Sequence, residues 1–235
     1  MKEFSLAFPL PMAPDQVYPW MIAQGWIASA PSANEIFFKG VPFLFRVAVQ
    51  PPHPDLPTIF AEHCELAKDD AEQLTQHESI LFLLGSLKDK NSLSTINITI
   101  SQLLAGGAFG VVFEHCGAAY TKERWAEHSS HVSMEPWLNW IYGKGDLRTL
   151  GLEVFGLPDF AVQSRVDDET KQDLLLEVAE SMFLDEATML SGHIVEASDG
   201  SEYTLQKEAK APYVKGHPNF NAKGVLRLVP IRSIA

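Results

Sequence analysis

The sequence predicts an α+β fold, a mostly antiparallel sheet with helices layered on it. Three observations carry this. Short apolar stretches of period two alternate with stretches whose apolar residues recur at helical spacing. Strand candidates come in pairs joined by glycine-bearing turns, the pattern of antiparallel neighbours. The chain has 235 residues, of which 46% are hydrophobic, enough to bury a full core.

The elements follow in order. "KEFSLAFPL" reads as a strand, and "APDQVYPWMIAQGW" as a helix with Val17, Trp20 and Met21 inward and Pro19 disturbing its first turn. "NEIFFKGVPFLFRVAVQ" reads as two strands about Lys39-Gly40, with Phe43, Phe45, Val47 and Val49 on one face. After the breaker "PPHPDLP", one short helix is expected across "IFAEHCELAKDDAEQL", then a buried strand, "ESILFLLGSL". Ser92 or Ser94 is placed to cap a helix through "LSTINITISQLLAGG". "FGVVFEHC" reads as a strand and "TKERWAEHSS" as a helix capped by Thr121. "EPWLNWIYG" and "LGLEVFGLPDFAVQSR" read as strands flanking the Gly143 and Gly145 turn. "DDETKQDLLLEVAESMFLDE" is the strongest helix, "GHIVEASDGSEYTLQ" a hairpin about Asp199-Gly200, and "GVLRLVPI" a last strand. The order suggests two pseudo-duplicated halves in one compact unit, residues 1–90 and 91–235, the second ending in a basic segment.

Charge is unevenly distributed within a net −12. Residues 111–206 carry six basic and eighteen acidic side chains, whereas residues 207–235 carry six basic and one acidic. Such a field repels phosphate backbones, so nucleic acid is not an expected ligand, and a basic protein is. Two cysteines argue against a disulfide scaffold. The apolar start is too broken for an export signal, and "SILFLLGSL" covers less than half of a bilayer span of about 20 residues. The expectation is a cytoplasmic protein with no membrane segment.

The tripeptide Glu-His-Cys occurs twice, at Glu62-His63-Cys64 and Glu114-His115-Cys116. Adjacent side chains diverge on a strand and on a helix alike, so one copy cannot hold an ion by itself. A zinc site would draw instead on Cys64, Cys116, His128 and His131, a Cys2His2 set without the close cysteine pairing of common zinc modules. A nucleophilic Cys116 would need a base at its sulfur and a lowered thiol pKa, which the local negative charge opposes. Hydrolase, zincin and nucleotide-loop signatures are absent, and no cofactor is expected.

The acidic helix carries more information. Glu169, Asp173, Glu177 and Glu180 share one face, with Leu175, Val178, Ala179 and Met182 behind them and Asp167 and Asp168 at the start. Like charges four apart cost a few tenths of a kcal/mol per pair, roughly, so stability alone favours some lysines there. Two ordinary explanations compete: a solvated face, and a basic tail folded across the helix. Trp137 and Trp140 are aromatic candidates for the same surface, with burial under a helix as the alternative.

The stretch from Leu103 to Tyr203 resembles a bacterial domain-of-unknown-function family. The likeness is carried by "GGAFGVVFEHCGAAYTKERW" and by "TLGLEVFGLPDFAV", with its Thr-x-Gly-Leu-Glu-x-Phe-Gly pattern, and it continues through the acidic helix and the hairpin. It implies an α+β fold and a bacterial origin, and no functional residues. Small acidic proteins of this kind are often immunity partners of secreted toxins, by analogy of class. The expected function is therefore a non-enzymatic binding module that neutralises a basic toxin domain. A zinc-binding or Cys/His-dependent enzyme, and a secretion-system adaptor or structural oligomer, are the alternatives.

Overall fold

The computed structural model describes residues 2–28, 35–38, 44–64, 66–128, 132–143, 145–210, 212–217 and 219–232. The protein is α+β, as expected, with two mostly antiparallel sheets in two compact units, Glu3–Val132 and Ser133–Ala235 with Met1–Lys2. The boundary falls after Val132 and not near residue 90, because the strands after residue 105 return to the sheet begun at the N-terminus.

The first unit contains β1 (Phe4–Leu10), α1 (Pro14–Ala23), β2 (Trp26–Ala28), β3 (Glu35–Phe38), β4 (Leu44–Gln50), α2 (Leu56–His63), α3 (Lys68–Thr75), β5 (Ser79–Gly85), α4 (Lys90–Ala105), β6 (Gly110–Phe113), β7 (Ala118–Thr121) and α5 (Lys122–His128). Its sheet runs β2-β3-β4-β5-β1-β6-β7, with β1 and β5 in its middle. Both central strands are buried along most of their length, which is why they read as nearly continuous apolar runs.

Several sequence expectations shift here. Pro19 sits inside α1, which nevertheless continues to Ala23. The stretch 56–75 forms two helices, since Cys64 is extended (φ −146°, ψ 151°) and ends α2. The cap of α4 is Asp89: its Oδ1 accepts the Ser92 N–H at 2.8 Å, and Ser92 Oγ accepts the Asp89 N–H at 3.0 Å, a reciprocal capping box. β7 was not expected, and the second Glu-His-Cys lies in the β6–β7 turn instead of on a strand. The Lys39-Gly40 turn and Phe43 lie outside the described residues, whereas Phe45 and Val47 are buried as expected.

The second unit contains β8 (Asn139–Tyr142), β9 (Asp146–Leu150), β10 (Asp159–Gln163), α6 (Asp168–Phe183), β11 (Ile194–Glu196), β12 (Glu202–Lys207) and β13 (Val225–Arg232), ordered β11-β12-β13-β10-β9-β8. β10 and β13 pair in parallel. Glu135–Trp137 is a 3-10 turn, so "EPWLNWIYG" is not one strand. Nor is "LGLEVFGLPDFAVQSR": a 3-10 turn over Leu152–Phe155 interrupts it between Gly151 (φ 112°) and Gly156 (φ 73°), both left-handed backbones that suit glycine.

That turn brings Leu152 onto Asp159, whose Oδ1 accepts its N–H at 3.3 Å. Asp159 is 6% exposed, and burial pushes its carboxyl up to about 7 against the opposing hydrogen bonds from Asn221 and Leu152. An acid with a raised folded-state pKa contributes stability that is complete below pH 4, roughly, and lost as pH rises to about 7. At 1.36 kcal/mol per tenfold the loss is on the order of 4 kcal/mol. Asp159→Asn should therefore gain on the wild type by a few kcal/mol between pH 4.5 and pH 8, measured by urea unfolding at each pH. A stability difference that stays constant over that range would contradict the raised carboxyl pKa.

Candidate functional site

α6 begins at its cap, Asp167, which accepts the Thr170 N–H at 2.8 Å and the Thr170 hydroxyl at 2.9 Å. These two donors hold the Asp167 carboxylate below its usual range. Leu174, Leu175, Val178, Ala179 and Phe183 are buried on the inner face, while Met182 is only half-buried. Lys171 is also buried and reaches back to Asp168, with its Nζ 2.8 Å from Oδ1. The helix's one lysine is thus used at its own first turn.

The four carboxylates of the predicted stripe do not share one environment. Glu169 and Asp173 are exposed. Glu177 is half-buried and accepts the Ser198 N–H at 3.3 Å, from the loop joining β11 to β12. Glu180 is half-buried too: its Oε1 accepts the Ser133 hydroxyl at 2.8 Å and the Met134 N–H at 2.9 Å. Glu180 therefore anchors residues 133–134 and is a structural residue rather than a displayed one. The exposed acidic surface runs from Asp167, Asp168 and Glu169 to Asp173.

The aromatics also divide. Trp137 has 0% exposure and meets Phe155 edge-on at 6.0 Å, so it cannot anchor a surface contact. Trp140 is half-buried. The exposed aromatic is Tyr142, 58% accessible, whose hydroxyl accepts from Gln172 Nε2 at 2.7 Å. This contact ties the ring to α6 at Gln172, which lies one helical turn from Glu169. Tyr142 is the last residue of β8, where the strand end leaves it in solvent.

Among the described residues, no ion pair within 4.0 Å joins Lys210, Lys215 or Lys223 to any carboxylate of α6. Arg227 does form ion pairs, with Asp146 at 2.6 Å and Glu208 at 2.6 Å, both outside the helix.

Among the described residues, the cysteine and histidine candidates form no metal-holding group. Cys64 is half-buried at the end of α2, its thiol donating to the Phe60 carbonyl at 3.2 Å, and burial raises its pKa. Cys116 is buried in the β6–β7 turn, where burial pushes its thiol up to about 12. Such a thiol is protonated at neutral pH and has no nucleophilic character. His128 packs edge-on against Tyr120 at 5.2 Å, and His131 lies outside the described residues. Among the described residues, no group of three or more His, Cys, Asp or Glu side chains could hold a metal ion. The two Glu-His-Cys copies nevertheless approach one another, because α2 packs on β7. His63 Nε2 lies 3.6 Å from the position of a Cβ on Gly117, so packing accounts for the contact.

No protein-family model, curated protein or solved structure matches the chain. Among the described residues no helix is long and apolar enough to cross a membrane.

Glu180→Ala should cost about 2 kcal/mol, because it leaves the Ser133 and Met134 donors without their charged acceptor. Asp173→Ala, on the exposed face, should stay within roughly 0.5 kcal/mol of wild type. Denaturant unfolding of the two variants separates these values, and equal losses would mean that the stripe is not divided as described.

Proposed function

We propose that the protein is a non-enzymatic, cytoplasmic binding module of immunity type, which neutralises a basic toxin or effector domain through the first half of α6. The observation that carries this reading is the display of Glu169 and Asp173: both are exposed, and neither takes part in an ion pair among the described residues. Tyr142 supplies the adjoining aromatic, held by Gln172. Trp137, Glu177 and Glu180 leave the proposed contact set, because the fold uses them.

The mechanism follows from charge and solvation. A negative surface attracts a cationic domain before contact and raises the rate of productive encounter by tenfold or more at low ionic strength. Once docked, lysines or arginines of the partner pair with Glu169 and Asp173 while the Tyr142 ring excludes water from the rim of the contact.

The test uses the double variant Glu169→Lys/Asp173→Lys beside wild type as bait in cell extracts, followed by association kinetics with the captured basic protein. The expected result is an unchanged unfolding midpoint and an association rate at least tenfold slower at low salt, the difference shrinking as salt is raised. Equal rates for the two baits would remove α6 from the interface.

A further inference from the structure

His77, in the connection from α3 to β5, is 7% exposed and uses both nitrogens of its ring. Nδ1 lies 2.6 Å from the Leu74 carbonyl oxygen, and Nε2 accepts the His53 N–H at 2.9 Å. These partners fix the tautomer. A carbonyl oxygen only accepts, so Nδ1 carries the proton, and a backbone N–H only donates, so Nε2 keeps its lone pair.

The bond to His53 secures the entry to α2. Asp55, at the cap position of that helix, makes no side-chain cap bond. Backbone closes the turn instead: the His53 carbonyl accepts the Leu56 N–H at 3.2 Å, and the Asp55 carbonyl accepts those of Thr58 and Ile59 at 3.0 Å and 3.1 Å. Through His77 this turn is tied to the chain between Leu74 and Ile80, which pack with Leu56 and Phe60 in one apolar cluster.

A second proton on the ring undoes the match. It can enter only at Nε2, where it meets the His53 N–H across 2.9 Å, donor against donor. Among the described residues, no carboxylate lies within 4.0 Å of the ring to balance the new charge. The ionisable side chains on the segments that meet there are His53 and Asp55 before α2, Glu72 in the last turn of α3 and Glu78 before β5, all exposed. Glu72 is paired with Lys68 at 3.7 Å. The end of β1, which the Glu78 N–H joins at the Leu10 carbonyl, is followed by no ionisable residue before Asp15. A buried charge that loses a hydrogen bond and gains no counter-ion disfavours the closed arrangement.

We infer that His77 is an acid-released clasp: its neutral ring fixes the turn 53–55 at the entry to α2, and a second proton on the ring frees that turn while the sheet stays paired. The release is local. Pairing of Gln50 with Ile80 holds the chain before the turn, the buried Leu56 and Phe60 hold it afterwards, and neither depends on the imidazole.

NMR on the full chain tests this. At about pH 7.5 the ring nitrogen correlations of His77 should show the Nδ1–H tautomer; an Nε2–H tautomer would overturn the clasp. Between about pH 7.5 and pH 5, a range that spans ordinary histidine titration, protection of the residue 53 amide from hydrogen exchange, corrected for intrinsic rates, should fall by about tenfold or more. The Phe109 amide, bonded to the Pro9 carbonyl at 3.0 Å, should keep its protection. In His77→Gln, whose side-chain oxygen still accepts but takes up no proton in this range, the residue 53 amide should remain protected throughout. His53→Ala removes the exposed ring and keeps the N–H, so the loss of protection should persist there. Flat protection in the wild type, the same loss in His77→Gln, or disappearance of the loss in His53→Ala would each overturn the inference. Should His77→Gln not fold, the tautomer and the His53→Ala profile decide.

Discussion

Arg148 and Arg227 face one another across Ala161 in the second sheet, and Asp146 and Glu208 bind both. The register brings the two arginines into one row, because both stand opposite the same alanine. Each side chain of the four retains between 16% and 24% exposure, so solvent screens the network only partly. Burial pushes the Asp146 carboxyl up, but the hydrogen bonds from Arg227 and Arg148 prevail and hold it below its usual range. The consequence reaches beyond the sheet. Arg227, in the basic C-terminal stretch, is committed to this network, and its charge is cancelled there instead of over the acidic helix.

α6 answers two demands with one sequence. Its apolar side secures the sheet through Leu174, Leu175, Val178, Ala179 and Phe183. Its acidic side is graded along the axis: the C-terminal carboxylates accept backbone and hydroxyl donors from neighbouring loops, and the N-terminal ones face water. A carboxylate that accepts two donors stabilises a loop, whereas an exposed one contributes little to folding and remains free to act on a partner. The gradient therefore separates structure from recognition within sixteen residues.

Elements whose formation depends on local pattern were legible in the sequence. The period of α6, its Asp167 cap and the Asp199-Gly200 hairpin all appear where the residues alone put them. The misread parts are those decided by tertiary contact. Ser92 does take part in the capping of α4, but the chain turns one residue before Lys90, which gives the cap position to Asp89. The two glycines around Leu152–Phe155 look like ordinary strand residues until their positive φ values show a turn. Trp137, one of the two aromatic candidates for the displayed surface, lies in a 3-10 turn and is buried. For the proposed site, the sequence identified the helix and its charge. Which carboxylates remained available depended on Ser133 and Ser198, 47 and 21 positions from their acceptors.

The central claim is that the charge of α6 is presented to solvent and not covered by the chain's own basic terminus. Zero-length carbodiimide cross-linking at low ionic strength, read by peptide mass spectrometry, measures this directly, because it joins only amines and carboxylates already in contact. The account predicts no product linking Lys210, Lys215 or Lys223 to Glu169 or Asp173, with Lys171 joined to Asp168 as the internal positive control. Abundant tail-to-helix products in the monomer would contradict it.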